Sequence, residues 1–146
     1  MEGMTVIVKT VTRILAPVMF LVGIYVTLHG HLTPGGGFQG GVMLAGTFVM
    51  LLLAFGVASL EKKVSFRVGE TVKGIGAAMI AFTAVVGLIF GFWFFKNIGV
   101  YWYGIPGEVF SAGSLPLYNI WEAAHVALAF LVAFYCFTKK ESGDKK

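Results

Sequence analysis

The chain has 146 residues, a formal net charge of +4, 58% apolar residues and only 12% charged ones, and its mean hydropathy is +0.86. Soluble domains average about 45–50% apolar and about 25% charged residues, so both departures point to a membrane protein with no room for a separate soluble domain. The charge is too small and too spread along the chain to indicate nucleic acid, and the single cysteine, Cys136, excludes an internal disulfide, a Cys-ligated iron–sulfur cluster and a CxxC redox pair.

Four apolar runs follow in order: Val11 to Gly30, Val42 to Leu60, Val72 to Phe95 and Leu117 to Phe137. Each is close to the roughly 20 residues that cross a hydrocarbon core of about 30 Å. The first run is of span length with no small-residue cleavage site after it, so it reads as a retained span rather than a signal peptide. Pro17 falls in the first two turns of that span, where the loss of its N–H is tolerated. Nothing alternates with the period of two that a membrane β-barrel needs. The expected fold is an all-α integral membrane protein, with residues 1–146 as a single membrane domain of four transmembrane helices in two hairpins.

With an even number of spans, both termini and the loop between spans two and three share one side. That side receives Lys9, Arg13, Lys62, Lys63, Arg67, Lys73, Lys139, Lys140, Lys145 and Lys146, against Lys96 alone on the other. The positive-inside bias predicts cytoplasmic N and C termini in a multi-pass protein of the cell membrane. Phe92 to Phe95 and Tyr101 to Tyr103 crowd the outer boundary, as a lipid-interface belt or as a surface for partner subunits.

Between spans one and two lies an outer Gly-rich turn over residues 31–41, containing Pro34, Gly35, Gly36, Gly37, Phe38, Gly40 and Gly41. Gly costs about 1 kcal/mol and Pro about 3 kcal/mol relative to Ala in a helix, so a continuous helix is not expected there. It is not a nucleotide loop, because no Lys-Ser or Lys-Thr follows the glycines. Two readings stay open: a tight reversal whose missing side chains let neighbours approach, or unwound backbone lining a polar cavity at membrane depth. His29 and His31 flank the turn without an adjacent third ligand, so the default is hydrogen bonding to backbone carbonyls, with no metal and no cofactor expected. Thr10, Thr12, Thr27 and Thr33 read as local backbone hydrogen-bonders.

The informative ionisable residues are Glu122 and His125, spaced i, i+3 on one helical face. Counted from Leu117, they lie roughly 7 and 12 Å into the last span, where a charged group costs several kcal/mol unless paired, hydrated or neutral. They are candidates for an ion or proton pathway, with His31 as a third candidate; the alternative is a mutually satisfied pair that binds this span to a partner helix. Glu70 and Lys73 read as a solvated pair at the start of span three, and Glu108 in the outer loop has no identifiable partner. No nucleophile–base arrangement points to an enzyme acting alone.

The stretch Thr10-Val11-Thr12-Arg13, an apolar span and then Gly30-His31-Leu32-Thr33-Pro34-Gly35-Gly36-Gly37-Phe38-Gln39-Gly40-Gly41 closely resembles the MnhB-domain family, the B-type subunits of Mrp multi-subunit cation/proton antiporters, with relatives in the membrane arms of energy-converting hydrogenases and similar archaeal respiratory complexes. The match is looser toward the carboxyl end. After Ser114 to Ile120 the family has small or apolar residues and often a lysine, where this chain has Trp121-Glu122-Ala123-Ala124-His125; no family role is carried onto His125. The resemblance implies a small subunit beside larger membrane subunits that carry proton translocation, with Na+ and H+ as the transported ions. It leaves open an antiporter module or a redox-driven pump in which the chain is purely structural. Small homodimeric four-span exporters depend on a glutamate in the first span, which this chain lacks.

Overall fold

The computed structural model describes residues 4–32, 34–90, 92–97 and 112–143, with side chains described up to Thr138. Thr33, Tyr101, Trp102, Tyr103, Glu108, Lys145 and Lys146 lie outside the described residues, as do the side chains of Lys139 and Lys140. The described residues form five helices and no strand: α1 Val6–His29, α2 Gly37–Phe55, α3 Val57–Glu61, α4 Phe66–Ile89 and α5 Leu115–Gly143. Four segments are long and apolar enough to cross a membrane, namely α1, α2, α4 and Leu115–Thr138 of α5.

Element boundaries depart from the hydropathy runs for local reasons. Helix α1 starts at Val6 rather than Val11, which places Pro17 in the helix interior, where it leaves the Arg13 carbonyl without its α-helical N–H partner. Helix α2 starts at Gly37, inside the expected turn, so the described non-helical residues between α1 and α2 are 30–32 and 34–36. It ends at Gly56, whose φ of 84° is a left-handed value suited to glycine; the expected second span, 42–60, is therefore broken before the single turn of α3.

Helix α4 starts at a Ser65 N-cap, whose hydroxyl accepts from Val68 N at 3.3 Å, and Glu70 pairs with Lys73 at 2.7 Å. It stops at Ile89, short of the expected Phe95. The chain then doubles back: Phe92 N–H donates to Gly87 O at 2.9 Å and Phe95 N–H to Ala84 O at 3.0 Å. A Cβ on Gly87 would stand 2.7 Å from Trp93 O, so the missing side chain lets this return lie against α4. Phe92, Trp93, Phe94 and Phe95 are exposed.

Helices α1 and α2 form one antiparallel hairpin, with Gly23 opposite Gly40 and Met4 N–H donating to Ala54 O at 3.1 Å. Helices α4 and α5 are likewise antiparallel, with Gly69 beside Val132 and Gly76 beside His125. Helix α5 joins the hairpins, packing on both α2 and α4 and touching α1 to a lesser extent. It runs parallel to α2: Gly37 lies at Asn119 and Glu122, Gly41 at Ala123 and Val126, and Leu52 packs with Leu131 and Tyr135. Tyr135 is fully buried and donates to Val64 O at 2.8 Å, tying α5 to the segment before α4.

Helix α1 buries only small residues. The buried face of α1 is Thr12, Ala16, Gly23 and Thr27, while Ile14, Leu21 and Tyr25 point outward. This inverts the pattern of a soluble bundle, because lipid offers bulky apolar side chains as good an environment as the core, and small residues let helices approach.

Candidate functional site

The glycine segment and the first turns of α5 meet at one end of the bundle. After α1 ends at His29, Leu32 N–H donates to His29 O at 2.9 Å to begin the reversal. The turn closes tightly, since a Cβ on Gly30 would overlap Gly36 Cα and come within 2.9 Å of the Asn119 amide nitrogen. Gly36 precedes α2 with a φ of 137°, outside the range L side chains readily adopt.

Within α2 the glycines divide between two neighbours. Gly37 and Gly41, one turn plus a residue apart, face α5: a Cβ on Gly37 would stand 2.5 Å from Asn119 O and 2.6 Å from Glu122 Oε2, and one on Gly41 2.8 Å from Val126 Cβ. Gly40 faces α1, where a Cβ would collide with Thr27 Oγ1 and stand 2.9 Å from Gly23 O. Pro34, Gly35 and Phe38 are exposed. The segment expected as an unbroken turn is thus half turn and half helix. Intrinsic propensity disfavours glycine in a helix by about 1 kcal/mol each; here that cost is offset by contacts with α1 and α5 that any side chain would block.

Glu122 is half-buried with its carboxylate against the Gly37 backbone, at the N-terminus of α2. The N-cap residue of α2, Gly36, supplies no side-chain hydrogen bond, and the first N–H groups of a helix carry partial positive charge. Glu122 brings a negative charge to that end from another helix, an arrangement worth about 0.3–1 kcal/mol at exposed sites and up to about 2 kcal/mol when partly buried.

His125 turns the other way. Its Nδ1–H donates to Lys73 O on α4 at 2.9 Å, which leaves Nε2 as the second ring nitrogen, and its Cβ rests on Gly76. Among the described residues no ion pair joins Glu122 and His125. The alternative of a mutually satisfied pair is therefore not what the geometry shows. The i, i+3 spacing does place both on neighbouring positions of α5, but α5 stands between two helices, and the shared face is divided between α2 and α4.

His31 lies half-buried in the reversal. His29 Nδ1–H donates to Tyr25 O at 3.1 Å, and its ring stacks on Tyr25 with centroids 4.1 Å apart. Among the described residues no group of three or more His, Cys, Asp or Glu is gathered so as to hold a metal ion. Thr10 and Thr27 hydroxyls donate to carbonyls one turn back, Val6 O at 3.0 Å and Gly23 O at 2.8 Å.

Two residues that sequence reasoning passed over shape this end. Asn119 fits between Gly30, Gly36 and Gly37; its signal was a polar residue one turn before Glu122 on the same face. Asn97 holds the start of α5, its Oδ1 accepting from Ser114 N and Oγ, each at 2.9 Å, and its Nδ2 donating to Ala112 O at 3.0 Å.

Residues 7–132 match the family described as a domain related to the MnhB subunit of Na+/H+ antiporter. An uncharacterized protein of Methanocaldococcus jannaschii is 32% identical over 120 residues, covering 80% of this chain and 45% of that protein. A Staphylococcus aureus protein provisionally named antiporter subunit mnhB2 is 32% identical over 104 residues, covering 70% of this chain and 72% of that one. In the solved structure of the membrane-bound sulfane sulfur reductase, an archaeal respiratory membrane complex, one chain superposes with a TM-score of 0.69 at 31% identity, over 90% of this chain and 58% of that chain. The chain thus spans less than half of the archaeal relative and somewhat over half of the structural one.

Proposed function

We infer, because the chain belongs to the family of domains related to the MnhB subunit of Na+/H+ antiporter, that it is a small membrane subunit of a Mrp-type cation/proton antiporter module. The match over residues 7–132 carries this reading. The geometry supports a subunit that works with partners: its two intramembrane ionisable groups are each engaged by a neighbouring helix, Glu122 at α2 and His125 at α4. Other membrane subunits then supply the rest of any path for Na+ or H+, and this chain lends Glu122, His125 and His31 to it. The lysine and arginine bias places both termini on the cytoplasmic side of the cell membrane. The chain itself catalyses no reaction.

A second reading rests on the structural likeness to a chain of an archaeal respiratory membrane complex: a membrane-arm subunit of a redox-driven ion pump, with a structural role. Both readings are tested on the intact module, purified through a tag on this chain and assayed for Na+/H+ exchange in everted vesicles. Glu122→Gln and His125→Gln should each lower exchange while subunit composition is unchanged. Normal exchange in both variants would remove these residues from the pathway, and loss of partner subunits instead would assign them to assembly. Iron–sulfur or nickel subunits in the purified complex would favour the redox-driven reading.

A further inference from the structure

A cavity of about 650 Å³ opens between α1, α2 and α3 at the basic end of the bundle, far from Glu122 and the glycine turn. Its two ends differ in chemistry. At the mouth stand Arg13 and Lys63, both exposed, with Ser59 beside them. Arg13 lies over the Phe55 ring at 5.6 Å, and among the described residues neither cation makes an ion pair. Among the described residues no carboxylate lines the cavity. At the deep end the rings of Phe20 and Phe48 meet edge to face, with centroids 6.5 Å apart. From Arg13 to Phe20 the α1 wall runs about 10 Å along the helix axis, and its surface beyond the mouth is apolar.

We propose that this groove binds one anionic phospholipid of the surrounding leaflet, its phosphate held by Arg13 and Lys63 and the upper part of an acyl chain lying between α1 and α2. Charge complementarity argues for the head: two cations with no ion-pair partner among the described residues, at a membrane boundary, attract an anion, and a guanidinium matches phosphate oxygens in bidentate fashion. The apolar wall argues for the tail, which a free phosphate lacks.

The test uses the full chain in detergent, titrated with dioleoyl phosphatidylglycerol or dioleoyl phosphatidylcholine and read by native mass spectrometry. Each basic contact near a membrane surface is worth about a factor of five in affinity. The wild type should therefore retain one phosphatidylglycerol with about 25-fold preference over phosphatidylcholine. Arg13→Gln with Lys63→Gln should remove that preference, Arg13→Lys should keep most of it, and Ser59→Trp should weaken both lipids by narrowing the mouth. Equal retention of the two lipids by the wild type would overturn the proposal, as would an unchanged preference in the double variant. Displacement of phosphatidylglycerol by inorganic phosphate would show an anion site without a tail and also overturn it. If the double variant aggregates, the wild-type preference and Arg13→Lys still decide. In the membrane complex, crosslinking of Ser59→Cys to a polypeptide rather than to lipid would assign the groove to a subunit.

Discussion

Replacing Gly40 with alanine sets two physical effects against each other at one atom. Helix propensity alone makes the change favourable by about 1 kcal/mol. The fold opposes it: the new Cβ would collide with Thr27 Oγ1 and stand 2.9 Å from both Gly23 O and Thr27 N. Thr27 Oγ1 is fixed by its 2.8 Å bond to Gly23 O, and the other two atoms are backbone, so no side chain can rotate away. Contacts become ordinary at 3.4 Å, so α1 and α2 must separate by at least 3.4 − 2.9 = 0.5 Å to relieve the two backbone contacts, and by more to clear Thr27 Oγ1. Overpacking of this kind costs about 1–3 kcal/mol, leaving a net loss of up to roughly 2 kcal/mol after the propensity gain. Gly74 in α4 is the internal control, since a Cβ there meets nothing within 4 Å; Gly74→Ala should be neutral or stabilising by up to about 1 kcal/mol. The readout is the thermal midpoint of the monodisperse fraction in detergent, measured side by side. Opposite signs are expected. If Gly40→Ala melts at or above the wild type, the close α1–α2 approach is not the reason for glycine there.

Three further outcomes follow from the geometry. Gly37→Ala and Glu122→Gln should each lower the melting midpoint, and the double variant should lose less than the sum by about 1 kcal/mol, because both break one contact between carboxylate and helix terminus; additive losses would mean the two do not act through each other. Tyr135→Phe should cost about 1–3 kcal/mol, since it removes the donor to Val64 O at a side chain with no exposure, and an unchanged midpoint would show that carbonyl satisfied by water. In exchange assays on the intact module, losses from Glu122→Gln and His125→Gln should multiply in the double variant; a double variant no worse than either single would instead mark them as steps of one relay.

The spans were legible because lipid imposes length and apolarity on any helix that crosses it, and four runs of that kind stand out without reference to partners. Their ends were not. Phe92 to Phe95 extend the apolar run of α4, yet the backbone has already turned, because Gly87 admits the returning chain. Gly37 to Gly41 carry the propensity of a loop, yet form a helix because α1 and α5 pack where side chains would be. That reversal depends on Asn119, Glu122 and Thr27, residues distant in the chain, so no local rule reaches it. The divergence of Glu122 and His125 was hidden for a similar reason: spacing along α5 gives a shared face, and only the order of helices around α5 says that the face is split.

The same joint explains why a glycine signature and an intramembrane carboxylate belong to one design. Gly37 lets α5 approach until Glu122 lies against the α2 terminus, and Gly76 lets α4 approach until His125 reaches the Lys73 carbonyl. Each ionisable group is thereby held by the backbone of a different neighbour. In the proposed pathway role neither contact has to break: His125 keeps Nε2 while Nδ1–H stays on Lys73 O, and Glu122 has a second carboxylate oxygen beyond the one facing Gly37. Helix α5 is thus the post that sets both groups, each against a different helix, and the expected independence of Glu122→Gln and His125→Gln in exchange assays follows from that separation.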